Sequence, residues 1–491
     1  MTVTTTSHSS PYPTHDTRSI IMDIGDVLVT MSLTTSTTIP SEAIRTILTS
    51  PTWGRYECGK LTESECYRLV AEEHNLDLDE FTRAFNQDVR SSMTLNRPLF
   101  AFLRQLKSEM GSSLRLFIMS NVSQPDITIL LANYPEEWSI FDKIFPSSTI
   151  QMRKPSLGFY RRVFDIIGGN PKDIVFVDDK VEHVLAARSL GACGVVYDRL
   201  NEFRRRVRCL VCDPIKRSIE YLCTNAIGID SANIYAYNSM DRISRMLALN
   251  TLQELFINSK NVDLAVSSFS GLKLPFDGNT APPSLDVDLV ALQLLAPGYA
   301  QDLVHTAMDT ILQLRDVDGI IRTFVDSQCG KTDPVVCANV LALFYSQGRG
   351  SDLKETENWL LDILRHRSYL DGTRYYPIAE SFLYSLSCLL QFCPENESLH
   401  QALKLLLEVR LKEQIRLPGD VGALTMRILA CTNVGIDPMM ELQQLRLMQL
   451  EDGSWPETEP CRKIDSSAED IKGRCVVTAL ALKAMAVAVK D

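Results

Sequence analysis

Short apolar runs alternate with amphipathic segments between residues 19 and 200. The runs "SIIMDIGD", "LRLFIMSN", "DIVFVDD" and "CGVVYD" have the length of strands and end in polar residues, and segments of helical periodicity such as 98–109 and 157–167 lie between them. This alternation predicts a Rossmann-like α/β domain with a doubly wound parallel sheet and its chemistry at the carboxyl ends of the strands. A helical stretch over about 41–97 interrupts the alternation after the first strand and predicts an inserted cap.

The strand signals disappear in the second half of the chain. From residue 218 to 491, amphipathic helices follow one another with short Gly/Pro breaks, which predicts an all-α domain of helical hairpins stacked in a ring or solenoid. The basic stretch "RLNEFRRRVRCLVCDPIKR" separates the halves, and we predict a solvated linker over 201–217, with phosphate binding as the alternative. Residues 1–18 are polar and hydroxyl-rich and are predicted to be a disordered lead-in.

Composition narrows the classes of partner. The chain has 491 residues and a net charge of −11, which argues against nucleic acid or an anionic membrane surface as the main partner but leaves an anionic small molecule open. Most of the 13 cysteines lie in apolar contexts, and Cys209 with Cys212 lacks a second ligand pair for zinc, so we expect a reduced, cytoplasmic protein. No apolar run approaches the roughly 20 residues that a membrane span needs.

Specific polar residues occur at four sites of the first half, most of them at strand ends. They are Asp23, Ser120 with Asn121, Lys154, and Asp178 with Asp179. Because the carboxyl ends of parallel strands meet at one edge of a sheet, we expect these side chains to share one crevice. A carboxylate nucleophile, a hydroxyl donor, a cation and two carboxylates suited to Mg²⁺ form a set that fits phosphoryl transfer.

These residues, in this order, resemble the haloacid dehalogenase-like superfamily over the whole segment from Ile20 to about Asp198. The cap segment "WGRYECGKLTESECYRLV" resembles that of its phosphatase and epoxide-hydrolase-like branch. The resemblance implies that Asp23 is the phosphoryl-accepting nucleophile and that Mg²⁺ is the cofactor. One position departs from the pattern: the aspartate that usually follows the nucleophile by two residues is Gly25, and the next acid is Asp26. Lack of that proton donor is expected to slow the reaction by roughly 10² to 10⁴.

The run "DDKVE" allows a second interpretation. Asp178, Asp179 and Glu182 have the DDxxE form with which class I terpene synthases hold Mg²⁺ against a diphosphate, so three carboxylates are predicted as metal ligands in either scheme. Since the run follows a strand rather than a long helix, we expect the dehalogenase geometry, and the class I active site remains the alternative.

In the second half, "PSLDVDLVALQLL" places Asp286 and Asp288 at the start of an apolar helix. Helix capping explains one of them. The pair also resembles the core of the DxDD or DxDTT motif of class II terpene cyclases, which implies that Asp288 protonates a carbon–carbon double bond with Asp286 as its helper. Such an acid must be kept protonated, as a neighbouring carboxylate and a dry aromatic pocket can achieve. Leu289 and Val290 stand where the family often has two threonines.

Further motifs support a terpene cyclase fold. "QLEDGSW", from Gln449, resembles the QW repeat that ties together the helices of cyclase barrels, and "QLRDVDG", from Gln313, resembles a degenerate copy. "YLDGTRYYP", over 369–377, has three tyrosines that could stabilise a carbocation and Arg374, which could bind a diphosphate. Ordinary packing between helices is the alternative for this segment.

The order of the two halves resembles the drimane-type sesquiterpene synthases over nearly the whole chain. The resemblance implies a terpene-cyclase-like helical barrel and a small prenyl diphosphate substrate: farnesyl diphosphate would be cyclised by protonation to a bicyclic drimane diphosphate. The first half then either releases an alcohol such as drimenol or albicanol, or chiefly binds the diphosphate through Mg²⁺. Separate phosphatases or oxidases are the partners expected downstream. The alternatives are a phosphatase of another metabolite with a helical binding module, and a non-enzymatic helical scaffold.

Overall fold

The computed structural model describes residues 18–225, 300–323, 332–373, 375–394, 396–458 and 471–488. Three residues that the sequence predicts for the site, Asp286, Asp288 and Arg374, lie outside the described residues, as does the predicted lead-in apart from Arg18. The chain divides into two compact units, Met1–Cys212 and Asp213–Asp491. No helix among the described residues is long and apolar enough to cross a membrane.

A parallel sheet forms the centre of the first unit. The strands are β1 (Arg18–Met22), β2 (Val29–Thr30), β3 (Thr94–Leu95), β4 (Leu114–Ser120), β5 (Lys143–Pro146), β6 (Ile174–Asp178) and β7 (Cys193–Val196). Five of them form one sheet in the order β5-β4-β1-β6-β7 with every neighbouring pair parallel, whereas β2 and β3 form a small antiparallel ribbon. The predicted parallel α/β sheet is confirmed.

Burial on both faces of the sheet explains why the central strand β1 is apolar at successive positions. Ile20 and Met22 pack into the core on one face of the sheet, and Ile21 packs into the core on the other face. All three side chains are fully buried. A parallel strand that is covered by helices on both sides has no solvent face, so a continuous apolar run is required there.

Helices cover both faces of the sheet and form the cap. They are α1 (Ser41–Leu48), α2 (Pro51–Glu57), α3 (Glu63–His74), α4 (Leu78–Arg83), α5 (Arg97–Met110), α6 (Gln124–Asn133), α7 (Pro135–Trp138), α8 (Ser147–Ile150), α9 (Leu157–Ile167), α10 (Val181–Ser189) and α11 (Leu200–Val211). Helices α1–α4 and a π-helical stretch, Ala84–Val89, form the cap. The cap has its own aromatic core, in which Trp53 lies edge-on to Tyr56 and Phe85 at 5.2 and 4.8 Å between ring centroids.

The stretch 201–217 differs from the solvated linker that the sequence predicts. Its first part is α11, whose residues Phe203, Val207 and Val211 pack into the core of the first unit. Arg208 on the same helix forms an ion pair of 2.6 Å with Glu109. Apolar residues four apart give α11 a buried face, so its many arginines do not make it a solvated linker.

The second unit is helical throughout its described part, apart from an isolated bridge between Arg315 and Ile321. Its helices are α12 (Pro214–Asn225), α13 (Gln301–Leu312), α14 (Pro334–Ser346), α15 (Lys354–His366), α16 (Ala379–Leu389), α17 (Glu397–Gln414), α18 (Val421–Val434), α19 (Met439–Leu447) and α20 (Ile471–Val487). Helices α14, α16, α18 and α20 pack side by side in that order, and α12 packs against α20. The predicted all-α fold is confirmed.

Burial separates two kinds of helix in this row. Every side chain from Val335 to Phe344 on α14, and from Val421 to Cys431 on α18, is buried. Helices that are apolar all round are found inside a fold, whereas α15 and α17 carry charged residues on one side. The unit therefore consists of inner helices in contact with one another and outer helices that connect them.

The turn at Gln449 ties the beginning of the second unit to its end. Gln449 is fully buried, and its Nε2 donates to the carbonyl oxygens of Pro214 and Gly453, both at 3.0 Å. Trp455 is also fully buried and donates from Nε1 to Leu445 O at 2.8 Å. This segment has the structural role that its QW-like sequence predicts, because a buried amide that is fully bonded fixes the turn against α12.

The segment at Gln313 makes a similar turn without the same ties. Gly319 N–H donates to Asp316 O at 3.1 Å, as Gly453 N–H does to Leu450 O, and both glycines have positive φ. Gln313, however, is exposed. When Gly319 is aligned with Gly453, the residue at the position of the buried Gln449 is Arg315 and not Gln313. Only the turn of the motif is therefore repeated.

Candidate active site

Two neighbouring strands bring the first carboxylates together. Asp23 follows β1 directly, and Asp178 is the last residue of β6, which pairs with β1 so that Met22 lies opposite Val177. Asp23 N–H donates to Val177 O at 2.9 Å, which continues the ladder by one residue. Ser120 ends β4 on the other side of β1. The parallel pairing thus places these side chains at one edge of the sheet, as predicted.

Lys154 lies between the two carboxylates. Its Nζ is 2.8 Å from Asp23 Oδ1 and 2.5 Å from Asp178 Oδ2, and its side chain is fully buried. Asn121 holds the lysine main chain: its Oδ1 accepts from Lys154 N–H at 2.8 Å and its Nδ2 donates to Lys154 O at 3.0 Å. The side chain of Asn121, which the sequence predicts to bind substrate, therefore positions the lysine.

The charges of this cluster stabilise one another. Burial alone would lower the pKa of Lys154, but Asp23 and Asp178 outweigh it and raise the pKa above its usual value. Burial alone would raise the pKa of Asp178, but Lys154 and the hydrogen bond of 2.9 Å to His183 Nδ1 hold it below its usual range. Both shifts favour the charged forms of Lys154 and Asp178, so this ion pair is charged at neutral pH.

Three carboxylates could hold a metal ion. One oxygen each from Asp23, Asp178 and Asp179 lies within 4.8 Å of the others. Asp179 Oδ1 is buried and accepts no hydrogen bond from the described residues, and burial raises the pKa of Asp179 to about 6. An all-oxygen set with an unsatisfied buried oxygen fits Mg²⁺. Glu182, also predicted as a ligand, lines the same cleft but is exposed and lies outside this group.

The cluster opens into a cleft of about 1010 Å³ beneath the cap. Apolar side chains line it: Met31, Leu33, Leu48, Trp53, Phe85, Met93 and Leu130. Polar and charged side chains also line it and include Asp23, Ser120, Lys154 and Lys180. A molecule with a charged head and a hydrocarbon body would match this mixed lining.

Sequence reasoning missed several residues of the site. His183 lies five residues after Asp178 on α10, and Glu57 and Arg153 form an ion pair of 3.0 Å in the cleft wall. His183 could have been found from the sequence, because it follows Asp178 by five residues across the turn from β6 into α10. No local pattern marks Glu57, because its place in the cleft depends on how the cap packs.

Asp333 and three tyrosines of the second unit have structural roles. Asp333 is buried and caps α14, where its Oδ1 accepts from Val335 N–H at 2.9 Å. Tyr369, Tyr375 and Tyr376 are buried in the helical core, and the ring of Tyr369 lies at 5.3 Å from that of Phe382. The three tyrosines of the predicted pocket segment therefore pack between helices, which is the alternative that the sequence left open.

The first unit has a haloacid dehalogenase-like fold, with a capped parallel sheet and the buried cluster of Asp23, Lys154 and Asp178 at its edge. Residues 215–347 of the second unit match the family model described as the sesquiterpene cyclase astC-like C-terminal domain. Drimenol cyclase drtB of Aspergillus calidoustus is 36% identical over 468 residues, which cover 95% of this chain and 88% of that protein. The chain belongs to the family of drimane-type sesquiterpene synthases, and the resemblance seen in the sequence is confirmed.

The first unit has relatives of its own. Sesquiterpene phosphatase astK of Aspergillus oryzae is 33% identical over 178 residues of the N-terminal part, 36% of this chain and 88% of that protein. Among solved structures, a HAD-like family hydrolase of Porphyromonas gingivalis is 20% identical, with 40% of this chain and 98% of that chain covered and a TM-score of 0.33. A HAD family enzyme of Bacteroides thetaiotaomicron, in complex with magnesium and inorganic phosphate, is 18% identical, with 37% and 94% covered and a TM-score of 0.30.

Proposed function

We propose that the protein cyclises farnesyl diphosphate by a class II, isomerase-type reaction to a bicyclic drimane diphosphate, and that its first unit removes phosphate to release the alcohol. The observation that supports the second step is the buried ion cluster, in which Lys154 pairs with Asp23 and Asp178 at the base of a cleft. The similarity to a drimenol cyclase over 95% of the chain supports the first step.

Cyclisation is assigned to the second unit. Asp288 protonates the distal alkene of the prenyl chain, and Asp286 keeps that acid in its reactive state. Ring closure gives a drimanyl cation, which loses a proton while the diphosphate remains attached. The reaction neither consumes nor breaks the phosphate ester, so a separate site must act on it.

Dephosphorylation is assigned to the first unit. A carboxylate oxygen of Asp23 attacks phosphorus, and the buried ammonium of Lys154 offsets the negative charge that develops. Lys154 cannot leave this position, since its side chain is fully buried and its main chain is held by Asn121. Ser120, at the end of β4, offers a hydroxyl in the same cleft. The cluster is thus preorganised before substrate arrives.

Mg²⁺ is the cofactor that fits the carboxylates. Asp23, Asp178 and Asp179 would hold it, and it would neutralise charge on the phosphate oxygens. The buried Oδ1 of Asp179 accepts no hydrogen bond from the described residues, which leaves it available as a ligand. Burial raises the pKa of Asp179 to about 6, since it outweighs the opposing charge of Lys180.

The walls of the cleft support a terpenoid substrate. Met31, Leu33 and Met93 line the cleft with exposed or half-buried apolar side chains, and Asp23 and Lys154 line it with charged ones. A drimane phosphate has a hydrocarbon body and an anionic head, so both kinds of side chain would be used. A small polar phosphate ester would leave the apolar side chains in contact with water.

Product analysis tests both assignments. We expect the wild-type protein with Mg²⁺ to convert farnesyl diphosphate to a cyclised alcohol, as seen by mass spectrometry. Asp23→Asn should instead accumulate the cyclised diphosphate, which becomes alcohol only after a phosphatase is added. Asp288→Asn should abolish cyclisation and leave linear products. Linear farnesol from the wild-type protein would contradict the cyclase assignment and would point to a phosphatase of another metabolite.

A further inference from the structure

Position 25, which usually carries the proton donor in sites of this type, is a glycine here and cannot donate a proton from a side chain. Gly25, two residues after Asp23, has no side chain, and the next residue, Asp26, is exposed with φ of 56°. Asp26 N–H donates to Val29 O at 2.8 Å, so the tight turn holds its main chain in this conformation. Departure of an alkoxide nevertheless requires a proton, and attack by water on a phosphorylated aspartate requires a base.

The cap brings another carboxyl group into the same cleft. Glu57 is the last residue of α2, and its side chain lines the cleft together with Asp23 and Gly25. Its carbonyl oxygen accepts a hydrogen bond of 2.6 Å from Ser147 Oγ, which fixes the end of this cap helix to the body of the unit. The side chain of Glu57 is only 13% exposed.

Arg153 defines the direction of the Glu57 side chain. Its Nη2 lies 3.0 Å from Glu57 Oε2, and it packs so closely on α2 that a Cβ at Gly54 would lie 2.4 Å from Nη1. Glu57 Oε2 is itself buried. Arg153 immediately precedes Lys154, so the ion pair holds the carboxyl group of Glu57 against the segment that supplies the cation of the cluster.

Four charged groups face Glu57 from the elements around it. Burial raises the pKa of Glu57 to about 7, and Asp23 acts in the same direction, whereas Arg153, Lys180 and Lys154 act to lower it. A carboxyl group with a pKa near neutrality can both give and take a proton at physiological pH. His183, a second titratable group in the cleft, has its Nδ1 bonded to Asp178 at 2.9 Å.

We propose that Glu57 is the general acid and base of the first unit, supplied by the cap in place of a carboxylate at position 25. The inference rests on the proposed dephosphorylation and deepens it, since it names the group that handles protons in that step. It also gives the cap a chemical role, because the acid reaches the cleft only when α2 is docked on the body of the unit.

Each turnover removes one phosphate, so the diphosphate needs two turnovers: attack of Asp23 on the terminal phosphorus releases the monophosphate ester, and a second turnover releases the alcohol. In the first half of this second turnover, an oxygen of Asp23 bonds to phosphorus, the bond from phosphorus to the alkyl oxygen breaks, and that oxygen takes the proton of Glu57 and leaves as the alcohol. In the second half, water attacks phosphorus and gives a proton to Glu57, and the bond to Asp23 breaks. Inorganic phosphate leaves, and both carboxyl groups return to their starting states.

The dependence on the leaving group distinguishes an acid from a structural contact. Glu57→Gln keeps the size of the side chain but cannot give up a proton. We expect hydrolysis of an alkyl phosphate, such as farnesyl phosphate, to fall by about 10²-fold or more, including its first turnover. With p-nitrophenyl phosphate, whose phenolate leaves without a proton, the first turnover should stay within about threefold of wild type while later turnovers slow. Glu73 is a cap residue that accepts a hydrogen bond from Thr52. Glu73→Gln is the matched control and should leave the hydrolysis of both esters unchanged.

Gly25 offers a rescue experiment. A Cβ at this position would meet nothing within 4 Å, and the backbone there does not require glycine. Gly25→Asp placed in the Glu57→Gln protein should therefore restore alkyl phosphate hydrolysis by about 10-fold or more. Gly25→Asp in the otherwise wild-type protein is the control, because an equal gain there would show that the new carboxylate acts independently of Glu57.

The wild-type protein provides a test that does not depend on the folding of a variant. Because the acid must be protonated, the first turnover of the alkyl ester should fall as pH rises through about 7, and that of the aryl ester should not. Equal loss of both esters in Glu57→Gln, or equal pH profiles, would overturn the role of Glu57 while leaving the phosphatase assignment intact. A wild-type protein that hydrolyses neither ester would overturn both.

Discussion

Buried charges occur in both units of this protein, and their surroundings differ. In the second unit, Arg427 is fully buried, and it bonds to Glu380 at 2.5 Å and to Leu417 O at 2.9 Å. Arg410 donates to the carbonyl oxygens of Leu364 and Arg365 at 2.9 and 2.7 Å. These arginines bind the ends and faces of neighbouring helices, and their charges are enclosed by the core.

In the first unit the buried charges border a cleft. Lys154 is as deeply buried as Arg427, but Lys154 and its partner Asp23 line a cleft of about 1010 Å³. The difference teaches that burial of a charge does not by itself indicate function. A structural charge is enclosed by packed helices, whereas the charged cluster of the first unit borders a cavity that a substrate can enter.

Lys154→Met gives the largest effect that we expect from this comparison. The change leaves two buried carboxylates without their cation, so the first unit should lose about 3–5 kcal/mol of unfolding free energy and its phosphatase activity. Thermal denaturation and hydrolysis of p-nitrophenyl phosphate measure the two losses, with cyclisation of farnesyl diphosphate as the control for the second unit. An unchanged melting curve would show that Lys154 is not needed to compensate these charges.

Glu380→Gln tests the enclosed pair in the second unit. Arg427 would keep its charge without a carboxylate, and we expect a loss of about 3 kcal/mol from this unit, measured by chemical denaturation. Activity on p-nitrophenyl phosphate should stay the same. Replacing both residues by methionine should recover most of the stability, because the pair is structural. If the double variant is as unstable as the single one, the pair has a further role.

Gln449→Ala compares the two QW-like turns. The change removes the buried hydrogen bonds to Pro214 O and Gly453 O, and we expect a loss of about 2 kcal/mol. Gln313→Ala is the matched control, because Gln313 is exposed, and its effect should stay within about 0.5 kcal/mol. Equal losses in denaturation would mean that both turns tie helices together.

Glu57→Gln should make the smallest change in stability, and its sign depends on pH. The folded pKa of about 7 lies above the ordinary value of 4.5, so the favourable contribution of protonated Glu57 is complete below pH 4.5 and is lost as pH rises through 7. The variant avoids a penalty of about 3 kcal/mol at pH 8 but leaves Arg153 without its carboxylate, so we expect a net gain of about 1 kcal/mol at pH 8 and none at pH 4.5. Melting temperatures at both pH values measure it. A gain that is the same at both would show that Glu57 does not titrate in this range.

Much of the first site follows from sequence. Asp23 and Asp178 could be placed at one edge because parallel strands align their carboxyl ends, and the structure brings Lys154 between them. The positions of Glu57 and Arg153 could not be predicted, since they depend on how the cap docks on the body of the unit. Glu182 is a residue that the sequence suggested but the fold does not support. It has the spacing of a ligand in the DDxxE run, yet the turn into α10 leaves its side chain exposed.

The second unit shows a similar limit. Helical periodicity predicts the helices, but only packing separates the buried Gln449 from the exposed Gln313, because the turn must meet α12 for the glutamine to find partners. The basic residues of α11 likewise suggested a linker, while its apolar residues decided where it packs.

The sequence alone determined the order of the two units, the alternation of strands and helices, and the carboxylates at the strand ends, because these depend on local periodicity and on the direction of parallel strands. Only the tertiary structure decided which charges are enclosed and which face a cleft. The physical reason is that desolvation and pairing depend on neighbours that are distant along the chain: Lys154 lies between Asp23 and Asp178, and Glu57 lies against Arg153.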